Sequence, residues 1–320
     1  MFELTVLCVI FGLWLAAFDL ALLALTPSLL SRFAQLPARI RATSIFTVRL
    51  LPLAMAAAMT LGVFVPAWWI HEPENAAEAL TLALIGAALV AICPVGLGLK
   101  RAAGIVRRTQ ERLSEWRARA TASSRPRSSS FDVVEVPGDD LALCVGGYFK
   151  PTIFASSVAM KSLTGRERRA ALAHEWSHAS TLDPLRLLCM GACPDFLHLF
   201  SLDAPWRHAF ARAAEFAADV RACRGDRGTS LDLASALVKV ARLGIAAPSS
   251  PLSVASAMAD ATELEARVDA LVSGPMDDGR GVGVSTAWAL VFMCAVVCLA
   301  GIPASATAQS LTEAIVALLG

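Results

Sequence analysis

Charge is scarce in this chain: 17% of its 320 residues are Asp, Glu, Lys or Arg, against roughly 25% in soluble domains. With 56% hydrophobic residues and a mean hydropathy of +0.59, the shortage argues against a wholly soluble protein. It fits a membrane protein carrying a soluble part. Paired cysteines are missing as well. None of Cys8, Cys93, Cys144, Cys189, Cys193, Cys223, Cys294 and Cys298 forms a C-x-x-C pair. That leaves no basis for a disulfide framework or a cysteine metal site. Cys189/Cys193 and Cys294/Cys298 lie at helical spacing in apolar runs and read as packing residues. There is no internal repeat, and Tyr148 is the only tyrosine. The N-terminus has no basic segment before its apolar run and begins with Glu3, so Phe2 to Leu30 reads as a membrane span rather than a signal peptide.

A bilayer core needs about 20 apolar helical residues, and four stretches supply them. Phe2 to Leu30 is the first, stopped by Pro27 and the polar residues after it. Its Asp19 is either functional, since a carboxylate in a membrane is costly, or simply turned toward other helices. Leu50 to Ile70 is the second, ending in the interfacial pair Trp68-Trp69. Ala79 to Leu99 is the third and Thr286 to Ile302 the fourth. The loop after the first span carries Arg32, Arg39, Arg41 and Arg49 without an acid, and the loop before the third carries Glu72, Glu74 and Glu78 without a base. From Lys100 to Arg127 there are nine basic and two acidic residues. By the positive-inside rule both basic segments face the cytoplasm. The sequence therefore divides into three spans with short loops (1–99), a basic juxtamembrane segment and linker (100–130), a cytoplasmic domain (131–283), a fourth span (284–303) and a short tail outside (304–320). The basic segment reads as a lipid-facing arm. Its competing reading, a nucleic-acid-binding arm, is not expected, so the bilayer is the partner it implies.

Within the domain, Phe131 to Val136 alternates and stops at the turn cluster Pro137 to Asp140. Leu141 to Cys144 and Tyr148 to Ala155 read as two further strands. Pro151 marks the last of them as an edge candidate, open to pairing with an extended peptide. Thr164-Gly165-Arg166-Glu167 is a capping box that starts a helix. That helix contains His174-Glu175-Trp176-Ser177-His178, an H-E-x-x-H, and stops near Asp183-Pro184. Residues four apart share a helix face. The two imidazoles therefore point at one volume, where a catalytic Zn²⁺ with a third protein ligand and one open position can sit. Glu175 is placed to act as the base. Leu185 to Phe200 is apolar but interrupted by Pro194 and Asp195. Asp203-Ala204-Pro205 opens another helix carrying Glu215 and Asp219 among alanines. Glu215 completes a His₂Glu ligand set, and Asp219 can hold the spare N–H of a ligand histidine. His198 and His208 are the weaker alternatives for the third ligand. Tyr148, His208 and Arg212 are candidates for stabilising an oxyanion, and the sequence does not choose among them. Ser230 reads as the cap of a further helix, and Glu263 to Val272 belongs to a last one.

The order of Lys150-Pro151-Thr152-Ile153, then A-L-A-H-E-W-S-H-x-x-x-x-D-P-L from Ala171 to Leu185, then Ala214-Glu215-Phe216-Ala217-Ala218-Asp219 resembles the integral-membrane zinc peptidases of the BlaR/MecR signal-transducer type. The resemblance covers roughly Val133 to Asp219. It implies a mainly α membrane protein with four transmembrane helices and a cytoplasmic α+β zinc protease domain of the gluzincin type with a small β-sheet. It implies one Zn²⁺ per chain on His174, His178 and Glu215, and Glu175 as the catalytic base. The implied location is a bacterial cell membrane, and the implied activity is hydrolysis of a peptide bond in a cytoplasmic protein such as a repressor. The antibiotic-sensing members carry a large sensor after the last span, whereas about seventeen residues follow it here (Ala304 to Gly320), so β-lactam sensing is not implied. Arg212, three before Glu215, is also similar to the HtpX/Ste-type membrane proteases of protein quality control. A non-catalytic signalling scaffold with a structural zinc is the reading from a different class.

Overall fold

A computed structural model describes residues 2–71, 80–120, 122–124, 132–138, 143–196, 203–243, 257–274 and 305–319. Three of its helices are long and apolar enough to cross a membrane. The first, α1 (Phe2–Ala34), continues through Pro27 rather than ending there. The second runs as α2 (Ala38–Met59), a π-helical turn (Thr60–Phe64) and α3 (Val65–His71). Pro52 lies inside it, eight residues before the π turn, where the backbone register shifts. The third, α4 (Leu82–Arg119), does not stop at Pro94 or at the basic boundary. It extends the membrane helix as one rod through most of the basic segment, at about 1.5 Å per residue. Thr81 caps its start, accepting the Leu84 N–H at 3.1 Å. The expected fourth span lies outside the described residues. The tail after it forms α11 (Ser305–Leu319), whose Ile315 and Val316 pack against a core of Val6, Val9, Ile10, Phe64 and Leu84. Gly12 allows α1 to meet α4 closely: a Cβ there would come within 2.3 Å of the Ala91 methyl.

The sheet has four strands in the order β1-β2-β4-β3. They are β1 (Ala122–Ser124), β2 (Val133–Val136), β3 (Leu143–Gly146) and β4 (Thr152–Ser156). β1 comes from the expected linker and runs antiparallel to β2, with Ala122 opposite Glu135. β2 and β4 are parallel, Val133 opposite Ile153, and β3 is antiparallel to β4, Cys144 opposite Phe154. The expected edge strand is therefore interior. Pro151 sits just before β4, so its missing N–H costs no ladder bond, and the outer strand on that side is β3. Alternation gives the sheet two apolar faces. Val134, Val136, Cys144 and Phe154 pack on Leu113 and Trp116 of α4. Val133, Val145, Ile153 and Ala155 pack on the next layer of helices.

That layer comprises α5 (Ser157–Ser162), α6 (Gly165–Ser180), α7 (Asp183–Ala192), α8 (Asp203–Cys223), α9 (Arg227–Arg242) and α10 (Ala257–Ser273). The cap of α9 is Asp226, whose carboxylate takes the Thr229 N–H at 2.7 Å, and Ser230 lies within the helix, donating to the Leu271 carbonyl. α8 joins domain to bundle. Its Trp206, Phe210, Ala213 and Ala214 pack on Ala42 and Ile45 of α2 and on Leu187 and Met190 of α7.

Candidate metal centre

The capping box of α6 forms as expected. Glu167 Oε2 accepts the Thr164 N–H at 2.8 Å, and Thr164 Oγ1 faces the Glu167 N–H at 3.4 Å. Glu167 is also held by Lys239 Nζ at 2.8 Å and Ser235 Oγ at 2.7 Å. The Lys239 hydrogen bond above all pulls its carboxyl down to about 2. This anchor fixes α6 to α9, and the H-E-x-x-H begins two turns later on a helix that cannot easily rotate.

His174 and His178 are both buried, and their rings meet edge to face at 82°. The two Nε2 atoms are 3.2 Å apart. α8 brings Glu215 to them because Ala213, Ala214, Ala217 and Ala218, all buried, leave room for a close helix approach. Glu215 Oε2 is 3.3 Å from His174 Nε2, and its Oε1 is 3.5 Å from His178 Nε2. These three side chains form a group whose ligand atoms all lie within 4.8 Å of one another.

The outer nitrogen of each ring faces a buried carboxylate. His174 Nδ1 is 2.9 Å from Asp219 Oδ1, in the pairing expected for Asp219. His178 Nδ1 is 2.9 Å from Asp183 Oδ2. Carboxylates at both Nδ1 atoms favour the Nδ1–H tautomers, which turns both Nε2 lone pairs toward each other and toward Glu215. Three acceptors facing one point repel unless a proton or a cation lies among them.

The protonation pattern of the metal-free cluster follows. Burial disfavours charge on His178, but Glu215 and then Asp183 outweigh it and carry the imidazole up to about 10. Burial likewise opposes charge on His174, and Asp219 and Glu215 raise it above its ordinary value. Glu215 is held well below the carboxylate range against its own burial, chiefly by the charge of Arg267 and then of His178. Burial pushes Glu175 up, opposed by the charges of His174 and His178. A divalent ion entering here must displace protons from the rings, so binding strengthens as pH rises.

Two residues that hold the cluster have no part in the ligand set and its support as expected from the sequence. Asp183 reads in sequence as the Asp-Pro that stops α6. In the fold, Leu182 takes a left-handed conformation (φ 53°) that turns the chain and sends Asp183, in the first turn of α7, back to His178. Such a conformation costs a non-glycine residue roughly 1–2 kcal/mol. Arg267 lies in α10, which reads as structural cover. Its guanidinium grips Asp219 through Nε (2.8 Å) and Nη2 (2.7 Å) and reaches Glu215 Oε2 through Nη1 at 2.8 Å. The pairing of Asp183 with a histidine five residues earlier was a readable signal; Arg267 offered none.

The proposed oxyanion partners are not brought to the cluster by any contact among the described residues. Tyr148 is buried and donates its hydroxyl to Thr109 Oγ1 of α4 at 2.9 Å. His208 and Arg212 are exposed on α8. Of the alternative third ligands, His208 is therefore exposed, and His198 lies outside the described residues. Val145 of the outer strand β3 packs in one apolar cluster with Leu172, Trp176 and Ala179 of α6, which places that strand against the helix that carries the two histidines. No protein-family model, curated protein or solved structure matches this chain.

Proposed function

We propose that the chain is a membrane-anchored, zinc-dependent endopeptidase, with His174, His178 and Glu215 holding one Zn²⁺. A single geometric observation carries the reading. Ligand bonds of ~2.0–2.1 Å in a tetrahedron require donors about 3.3 Å apart, and the donor separations here are 3.2, 3.3 and 3.5 Å. A solvated acidic patch has no reason to match that edge length three times. Three protein ligands leave a fourth position open, which is the pattern of catalytic rather than structural zinc.

When bound, the ion supplies a Lewis acid that activates water and polarises a carbonyl. The side chains supply the rest. Asp219 and Asp183 hold the rings in the tautomer that presents Nε2. Glu175, next to His174 on the same turn, receives the proton of the attacking water and passes it to the leaving amine. Its carboxyl is pushed upward by burial, against the charges of the two histidines, which suits a group that must carry a proton between steps. Among the described residues no strand pairs with the outer side of β3, which packs on α6, so an extended peptide has a strand to pair with there. The basic residues around the bundle favour the cytoplasmic side of a cell membrane, so the substrate is a cytoplasmic or membrane-proximal protein. Cleavage of a repressor in a signalling pathway rests on the family resemblance alone.

The test is Glu175→Gln in the purified full chain. The variant is expected to retain one zinc per chain and to lose hydrolysis of casein by about a hundredfold or more. Equal turnover by native protein and variant would remove Glu175 from the reaction. Zinc at full stoichiometry with no turnover by the native protein would instead favour a structural site in a signalling scaffold.

A further inference from the structure

A second buried cluster of charges lies where the bundle meets the domain, apart from the metal centre. Asp19 of α1, Arg49 of α2, Asp195 after α7 and Asp203 at the start of α8 are all buried. Arg49 forks between two of these carboxylates, with Nη2 on Asp195 Oδ2 at 3.0 Å and Nε on Asp203 Oδ1 at 3.3 Å. The other oxygen of Asp203 pairs with Arg207 Nε at 2.7 Å. Asp19 Oδ2 accepts the Phe196 N–H at 3.3 Å. On the far side, Arg101 of α4 donates to the Cys193 carbonyl at 3.0 Å. At Gly98, α4 also approaches Ala192 so closely that an added Cβ would come within 2.3 Å of its carbonyl oxygen. All three membrane-spanning helices thus grip the residues flanking the start of α8.

The seam between α2 and α8 explains why such a grip is needed. It is built from Ala42 and Ile45 against Phe210, Ala213 and Ala214. Apolar contact is non-directional, and Ala42, Ala213 and Ala214 give this part of the seam little relief beside the larger Ile45 and Phe210 to set the height of the helix. Two charged hydrogen bonds from one planar guanidinium, aimed at carboxylates on separate segments, fix both translation and rotation. Glu215 lies twelve residues beyond Asp203 on the same helix, about 18 Å along its axis, and its neighbours Ala213 and Ala214 rest directly on α2. We infer that Arg49 is a positioning residue: its forked pairing with Asp195 and Asp203 sets the height and rotation of α8 against the membrane helices, and so places Glu215 opposite His174 and His178.

The affinity part of the test rests on the zinc reading above; the exchange part does not. The full chain in lipid nanodiscs is compared as native protein, Arg49→Lys and Asp203→Asn. Lysine keeps the charge but cannot fork, and asparagine keeps the shape of Asp203 but not its charge. In metal-free protein, amide hydrogen exchange across 203–223 is expected to quicken about tenfold in both variants, while 165–180 and 152–156 keep native protection. Zinc affinity, from competition with a chromophoric chelator, is expected to fall about tenfold, as when the support of a metal ligand is lost. Native exchange across 203–223 in the variants overturns the inference. So does a loss of protection spread equally over all three regions, which marks Arg49 as a general stabiliser. Should Arg49→Lys fail to fold, Asp203→Asn alone decides. A native protein that takes up no zinc sinks the metallopeptidase reading but leaves the exchange result to judge Arg49.

Discussion

Replacing Asp183 by Asn probes the candidate metal centre where sequence and structure diverge most. Asp183 is 1% exposed, with one oxygen 2.9 Å from His178 Nδ1 and the other 3.6 Å from Arg186 Nη1. Arg221, hydrogen-bonded to Ser177, stands 4.0 Å away. An asparagine fits the same space, and its carbonyl can still accept the His178 N–H, so the ring keeps its orientation. What it loses is the negative charge that makes His178 Nε2 a stronger electron donor. Loss of such an outer carboxylate lowers metal affinity about 10–100-fold, or about 1.4–2.7 kcal/mol. Asp183 is also an acid in the first turn of α7, worth only about 0.3–1 kcal/mol to that helix. The two roles separate in the readout. Zinc competition against a chromophoric chelator reports the first, and the unfolding midpoint of metal-free protein reports the second. The expected result is a weakened zinc constant with a midpoint nearly unmoved. A native zinc constant in Asp183→Asn, with only the midpoint lowered, would refute the claim that this carboxylate serves His178.

Other outcomes follow from neighbouring contacts. Arg267→Met leaves Glu215 and Asp219 without their buried cation, a loss of about 3–5 kcal/mol in metal-free protein. Zinc should compensate part of it, so the zinc-induced rise in unfolding midpoint is expected to be larger for the variant than for native protein; equal rises would count against this role of Arg267. Glu167 falls from an ordinary 4.5 to about 2 on folding, chiefly through Lys239. A depressed folded value adds stability that is complete above about pH 4.5 and vanishes as pH drops toward 2. Glu167→Gln should therefore flatten stability against pH in that window, and an acid limb as steep as the native one, in melts from pH 2 to 5, would remove Glu167 as its source.

Much of the architecture was readable from local pattern. The capping box at Thr164 fixed the start of α6 because its two hydrogen bonds span only three residues. The i, i+4 spacing of His174 and His178 needs no more than a helix to bring the rings together. The apolar runs marked three long helices because length and composition suffice for that. The strand next to Pro151 was misplaced at the edge because a proline just before a strand leaves the ladder intact, and nothing local distinguishes the two positions. The end of the first helix at Pro27 was misread for a related reason: packing partners along a long helix outweigh one missing hydrogen bond.

What the chain by itself determined is therefore each feature contained within a turn or two of one element: the paired imidazoles, the adjacent Glu175, the cap, and Glu215 and Asp219 on one helical face. Only the tertiary structure decided that Glu215 reaches the histidines, that Asp183 turns back to the second ring, that Arg267 closes over both carboxylates and that Arg49 ties α8 to the bundle. The division is physical. Helical geometry is repeated at every residue and is written in spacing, whereas the distance between two helices depends on the alanine faces, buried ion pairs and one left-handed residue that let them meet, and these act between residues as far apart as Arg49 and Asp203.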